Sequence, residues 1–186
     1  GGAYDDPERR PLGERCLMGF GSTSGPPVLP NYFYNNLHQI VQTKDSVLIL
    51  TEMVHDARVV RMNAEHLPKT ITKWMGDSVG HWEGDTLVVD TTNFSEKTRF
   101  RGSTPNLHIV ERFTRVDPKT LMYRFTIEDP DTWTKPWTAE YTWPARSPQV
   151  ASPSGPGAAV SAATAWVSRS KRHSAASVAL PSSSAW

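Results

Sequence analysis

The sequence has little cysteine, little excess charge and no long apolar runs. Its single cysteine, Cys16, cannot form an intrachain disulfide, and a zinc site there would need His, Asp or Glu ligands as well. Because no histidine neighbours Cys16 in the sequence, we expect a structural, buried thiol rather than a reactive thiolate. The 20 basic and 19 acidic residues nearly balance. This balance gives no reason to expect nucleic acid as a partner.

Several recognisable signals are also missing from the sequence. No run of 18 apolar residues is present, so we predict no membrane-spanning segment, and the chain as given contains no signal-peptide pattern. A GxSxG elbow, a phosphate-binding loop and a dinucleotide fingerprint are lacking, which argues against classical serine hydrolase, nucleotide and flavin functions. The six histidines have no HxH or HxxxH spacing, so the sequence predicts no metal site and no cofactor.

Composition divides the chain into three parts. Residues 1–36 are rich in Pro, Gly, Asn and Ser, which predicts an irregular N-terminal arm. Residues 37–144 contain short β-rich runs separated by turn formers, without apolar repeats at helical spacing. Residues 145–186 form a low-complexity Ser/Ala/Pro tail, in which we expect no function. A second interpretation of this tail is that it is not native to the protein.

Alternating side chains indicate an antiparallel hairpin in the third quarter of the chain. The turn at residues 117–120 has proline at its preferred second position. On the strand after it, one face carries only large apolar residues, namely Leu121, Tyr123, Phe125 and Ile127. On the strand before it, Glu111 shares a face with Leu107, Ile109, Phe113 and Arg115. A carboxylate on such a face must be paired, neutralised or functional.

A second tight hairpin is predicted in GHWEGDTLVVDTT, residues 80–92. Glycine after a polar residue reaches positive φ in short hairpin loops, so Glu83 and Asp85 are interpreted as turn residues rather than catalytic acids. Together the patterns predict a mainly β fold, either an antiparallel barrel or a strongly curved sheet of about seven to nine strands. The irregular N-terminal arm is expected to wrap around it.

The segment TEMVHDARVV, residues 51–60, is the first candidate site. Glu52 ends one predicted strand, His55 lies in the connection, and Arg58 opens the next strand. The carboxylate and imidazole can transfer protons, while the guanidinium can stabilise a developing negative charge. The alternative is a hairpin end held by an Arg–carboxylate pair, with His55 in solvent.

Glu111 is the second candidate, together with a carboxylate from a neighbouring strand such as Glu52 or Asp90. Two carboxyl groups in unlike environments are what glycoside hydrolysis requires. Tryptophans can stack on sugar rings, so the predicted substrate-binding residues are Trp74, Trp82, Asp90 and Trp137. The alternative is a satisfied buried ion pair between Glu111 and a nearby arginine, Arg112 or Arg115.

The tract WMGDSVGHWEGDTLVVDTTNF, residues 74–94, and the segment ERFTR, residues 111–115, resemble a family of uncharacterised bacterial proteins. The similarity spans residues 4–143, and it implies export, hence a secreted or periplasmic location. It implies no catalytic residues. Family members continue past the position equivalent to Trp143 with ordered sequence that contains a cysteine, whereas this chain turns into the Ser/Ala/Pro tail.

Three functions follow from these observations. The first is a hydrolase that uses carboxylate and histidine general acid–base catalysis on a glycoside or similar small substrate, with Glu52, His55, Arg58 and Glu111 as catalytic residues. The second is a non-catalytic β-barrel that binds a small apolar or aromatic ligand. The third is a structural β module that self-associates through an open sheet edge, which would give a homodimer.

Overall fold

The computed structural model describes residues 4–18, 26–29 and 37–144. The predicted tail at 145–186 lies outside the described residues. The described N-terminal region contains a single 3-10 turn, Pro7–Arg9, in which the Asp6 carboxylate accepts the N–H of Glu8. Cys16 is exposed, which corrects the expectation of a buried thiol. It lies in successive surface turns that are closed by backbone hydrogen bonds between residues 11 and 17.

Eight β-strands make up most of the described chain: β1 (His38–Gln42), β2 (Ser46–Thr51), β3 (Ala57–Met62), β4 (Asp77–Glu83), β5 (Thr86–Thr92), β6 (His108–Asp117), β7 (Thr120–Glu128) and β8 (Trp137–Pro144). They form one sheet in the order β1 to β8. The sheet curls into a half-barrel, which confirms the predicted mainly β fold with strong curvature. The curl brings His38 of β1 and Trp143 of β8 into a ring stack at 5.9 Å.

The neighbouring strands β3 and β4 are parallel, whereas the other neighbours are antiparallel. Side chains of β3 lie close against Gly80 of β4. A Cβ atom there would lie 2.8 Å from Val60 Cγ1 and 3.1 Å from Met62 Sδ, so only glycine fits without displacement of the neighbouring side chains.

Among the described residues, no helix has the length and apolar character needed to cross a membrane.

The two faces of the sheet differ in character, and we call the concave face inner and the convex face outer. The inner face carries the core, which includes Ile40, Ile49, Val60, Leu87, Val89, Ile109, Phe113, Leu121, Tyr123, Phe125, Ile127 and Trp143. The predicted alternation along β6 and β7 is therefore confirmed, with Glu111 fully buried on the inner face. Arg115 does not follow the predicted alternation. It is exposed, since the register of β6 and β7 shifts between Arg115 and Asp117.

Both predicted turns are present. Gly84 has φ of +59° and joins β4 to β5, with Asp85 exposed beside it, so the interpretation of this stretch as a tight hairpin is confirmed. At the other turn, the Asp117 carboxylate accepts the N–H of Lys119 at 2.6 Å.

Residues 26–29 of the N-terminal region lie against the inner face. Val28 is completely buried, and its N–H donates to the Tyr123 hydroxyl at 2.9 Å. The hydroxyl of Tyr141 in turn donates to the carbonyl of Val28. Two tyrosines on adjacent strands therefore hold this segment by its backbone.

Candidate functional site

The outer face carries a chain of alternating imidazoles and carboxylates across four strands. We call it the outer cluster, and it consists of His66, Asp77, Asp90, His108 and Glu128. Asp77 begins β4, Asp90 lies in β5, His108 begins β6 and Glu128 ends β7. The register pairs His108 directly with Glu128. Alternation along these strands thus gathers the side chains on one face.

Asp90 is the centre of the outer cluster. His66 Nε2 lies 2.8 Å from Asp90 Oδ1, and His108 Nε2 lies 2.9 Å from Asp90 Oδ2. Burial opposes ionisation of this carboxyl, but the hydrogen bonds from His108 and His66 lower the pKa of Asp90 below its ordinary 3.8. The ionised Asp90 carboxylate therefore accepts one hydrogen bond from each imidazole, and each imidazole carries its donated hydrogen on Nε2.

His108 is the histidine of the outer cluster that is best placed for proton transfer. The hydrogen bond to Asp90 raises the pKa of His108 above 6.5, and the nearby Glu128 carboxylate raises it further, although burial acts in the opposite direction. Its Nδ1 lies 3.6 Å from the Glu128 carboxylate, beyond ordinary hydrogen-bond distance. The side chain of His108 is 34% exposed. With Nε2 held by Asp90, Nδ1, which faces the Glu128 carboxylate, is the nitrogen left for a further proton transfer.

Asp77 anchors the other end of the outer cluster. Its buried carboxylate accepts hydrogen bonds from Arg61 and Lys73, both at 2.7 Å, and from the N–H of Leu67 at 2.9 Å. His66 Nδ1 lies 3.3 Å from the same group. Burial opposes ionisation, but the hydrogen bonds from Lys73, Leu67 and His66 lower the pKa of Asp77 to about 2.

The loop that carries His66 is held in place by Asn93. The Asn93 side-chain amide donates to the carbonyls of Leu67 and Pro68 at 2.9 and 3.3 Å. Because the N–H of Leu67 is also bound by Asp77, the backbone beside His66 is fixed from both sides. His66 can donate to Asp77 and Asp90 together only when both of its nitrogens carry hydrogen.

Arg58 and Glu111, predicted as catalytic, meet on the inner face. Arg58 Nη1 lies 2.5 Å from Glu111 Oε2 and Nη2 lies 3.0 Å from Oε1, with side chains that are 2% and 0% exposed. The Tyr123 hydroxyl also donates to Glu111 at 2.7 Å. Burial and the Glu111 charge raise the pKa of Tyr123 well above 10. This is a buried bidentate pair, as the ion-pair alternative predicted, but its partner is Arg58 rather than Arg112 or Arg115.

Glu52 and His55, the other two predicted catalytic residues, lie at the connection between β2 and β3. Both are exposed, and His55 Nδ1 lies 3.3 Å from the carbonyl of Glu52. A short 3-10 turn, Met53–His55, follows Glu52, which has no side-chain capping bond. The structure therefore brings Arg58 to Glu111 and places Glu52 and His55 at the exposed rim. The catalytic role of these four residues stays a prediction.

The predicted substrate-binding residues lie in different surroundings. Asp90 is the centre of the outer cluster, while Trp74 and Trp82 are half-buried, with Trp82 packed against the core. Trp137 lies in an aromatic group with Phe100, Phe125 and Trp133, at ring distances of 6.3, 5.9 and 5.9 Å.

Sequence reasoning did not single out four members of the outer cluster: His66, Asp77, His108 and Glu128. The signal for Asp77 was present, because extending the predicted hairpin around Gly84 opposes Asp77 to Thr92 and so places it on the same face as Asp90. His108 likewise precedes Ile109 and alternates with the inner-facing residues of β6. His66 lies in a loop and carried no such signal.

Within residues 4–18, 26–29 and 37–144, no group of three or more His, Cys, Asp or Glu side chains is arranged to hold a metal ion. Comparisons with protein-family models, with curated proteins and with solved structures find no match for the chain.

Proposed function

We propose that the protein is a hydrolase of small esters or glycosides, in which His108 transfers protons and Asp90 is its positioning residue. The observation that carries the proposal is the geometry of Asp90, which binds Nε2 of His108 at 2.9 Å while Nδ1 stays beyond hydrogen-bond distance of Glu128. A carboxylate that holds one imidazole nitrogen fixes the tautomer and makes the other nitrogen the base.

The hydrolytic step uses this fixed tautomer. Neutral His108 accepts a proton from water at Nδ1 while the water oxygen bonds to the carbonyl carbon of the substrate. The positive charge that forms on the ring is stabilised by Asp90. His108 then returns the proton to the leaving alkoxide as the carbon–oxygen bond breaks, which yields a carboxylic acid and an alcohol.

Esters fit this arrangement better than glycosides do. Glycoside hydrolysis needs two carboxyl groups on either side of the scissile bond, roughly 5 to 10 Å apart. A single imidazole that acts first as base and then as acid is sufficient for an ester.

Export of the enzyme from a bacterial cell, which the family resemblance implies, is part of the same proposal.

The test is turnover of a panel of chromogenic p-nitrophenyl esters and glycosides by the full chain. His108→Gln should lower kcat/KM by about 10²- to 10⁴-fold, the usual contribution of general acid–base catalysis. The matched control is His81→Gln, because His81 is also an outer-face histidine beside a carboxylate, Glu83 at 3.2 Å. It should keep the activity of the unsubstituted chain.

The pH profile gives a second readout that a structural role would not change. Since the base is neutral His108 and its pKa is raised, kcat/KM should rise with pH through a limb above 6.5. Asp90→Asn removes the charge that raises this pKa, so the limb should move to lower pH. Failure of the full chain to hydrolyse any panel substrate, or equal activity of folded His108→Gln and His81→Gln, would refute the proposal.

A second candidate function is binding of a small apolar or aromatic ligand on the inner face. It is supported by the apolar and aromatic side chains of the inner face, among them Phe113, Phe125 and Trp143. Arg58 Nε, which is buried without a hydrogen-bond partner in the described part of the chain, is a donor for a polar group on such a ligand. Burial and the Arg58 charge lower the pKa of His38 to about 4, so this face presents a neutral imidazole. Such a protein would bind panel compounds without turnover.

A further inference from the structure

Strand β1 forms one edge of the sheet, and within the part of the chain that the structure describes it lacks the usual protection of an edge strand. Natural edges are shielded by lysine, proline, bulges or inward charges. The sequence of β1, HQIVQ, contains none of these, and its one titratable side chain, His38, is buried on the inner face. The opposite edge, β8, carries Glu140 and ends at Pro144.

The ladder to β2 determines which backbone groups of β1 face outward. The N–H of Thr43 donates to the carbonyl of Ser46, and the N–H of Glu52 donates to the carbonyl of Leu37. In an antiparallel pair such bonds involve alternate residues. The N–H and C=O groups of His38, Ile40 and Gln42 therefore point away from β2, along the edge of the sheet.

An apolar row crosses the outer face next to this edge. The register aligns Val41 of β1, Leu48 of β2 and Val59 of β3. Leu50 and Ala57 form the adjoining row. Val59 is 54% exposed, and Ala57 beside it is exposed as well.

We propose that two copies of this chain pair β1 with β1 in antiparallel fashion about a two-fold axis at Ile40. His38 then lies opposite the partner's Gln42, so all outward backbone groups of both strands are bonded. Gln39 lies opposite the partner's Val41. The row of Val41, Leu48 and Val59 in each copy therefore lines up, across the two-fold axis, with the row of Leu50 and Ala57 in the other copy. A two-fold interface uses the same surface of both copies, so that surface must be self-complementary. Strand β1 meets this requirement because pairing it with a second β1 brings no like charges together.

Sedimentation equilibrium of the full chain over a concentration series tests the pairing. The mass should rise from 20.7 kDa toward twice that value. Val41→Lys places a charge in the interface and should shift the midpoint at least tenfold toward higher concentration. Thr142→Lys is the matched control, because it adds the same charge to the exposed face of β8 at the other edge; its midpoint should not move.

Gln42→Pro provides an independent variant, since it removes one outward N–H and leaves the ladder to β2 intact. Amide exchange supplies the local readout: the N–H groups of Ile40 and Gln42 should be protected in the dimer and exchange faster in folded Val41→Lys. A chain that stays at the monomer mass at every concentration overturns the proposal. So does a dimer that Val41→Lys and Thr142→Lys weaken equally, because its interface would then lie elsewhere.

Discussion

Glu111→Gln removes the negative charge that Arg58 faces in the core. Both side chains are almost inaccessible to solvent, at 2% and 0%, so the guanidinium would stay buried without a counter-charge. Loss of one partner from a buried pair costs about 3 to 5 kcal/mol of the free energy of unfolding, mainly because the remaining charge is desolvated. The amide retains the shape of the side chain, which confines the change to charge and hydrogen bonding.

Urea unfolding followed by tryptophan fluorescence measures this loss. The matched control is Glu83→Gln, which breaks a second Arg–Glu pair, Arg112 with Glu83, whose side chains are 38% and 48% exposed. Solvent screens such a pair, so the control should unfold at nearly the same urea concentration as the unsubstituted chain. The dependence of the unfolding free energy on urea should be unchanged in both variants.

The double variant Arg58→Met/Glu111→Gln separates charge from packing. Because no unpaired charge remains, it should recover most of the stability that Glu111→Gln loses. Equal stability of Glu111→Gln and Glu83→Gln would refute the reasoning from burial. A double variant as unstable as Glu111→Gln would assign the loss to packing instead.

Two further predictions concern the sheet. Gly80→Ala should destabilise the fold by about 1 to 3 kcal/mol in the same unfolding assay, because its Cβ would overlap Val60 and force the parallel strands apart; an unchanged midpoint would contradict the close approach. Asp77→Asn should destabilise the chain at neutral pH, and the difference should shrink as pH falls from 3.8 toward 2, because a depressed carboxyl pKa contributes stability above the unfolded-state value that is lost on protonation. A pH-independent difference between 2 and 7, measured by urea unfolding, would contradict this role of the Asp77 charge.

The sequence was sufficient to predict the hairpins because their signals are local. Proline at the second turn position and side-chain alternation predicted β6 and β7 and placed Glu111 in the core. The identity of its partner was not predictable in the same way. Arg112, adjacent in sequence, projects to the outer face and pairs with Glu83. Arg58 reaches Glu111 from β3, which lies three positions away in the sheet, because the sheet curls.

The outer cluster was only partly predictable for a related reason. Asp77, Asp90 and His108 lie on strands, where alternation determines the face of each side chain. His66 lies in the connection from β3 to β4, and its position depends on the Asn93 amide and the Asp77 carboxylate. A loop held by long-range hydrogen bonds has no periodic signature in sequence.

The parallel contact between β3 and β4 has a consequence for how the sheet holds together. Only three residue pairs, from Val60 with Ser78 to Met62 with Gly80, join the two strands in register. The other neighbouring strands share five to nine residue pairs each, so this seam is the shortest ladder of the sheet. The Arg58–Glu111 pair also joins β1–β3 to β4–β8. We therefore expect these two parts of the sheet to depend on buried side-chain contacts, more than on backbone hydrogen bonds, to stay together.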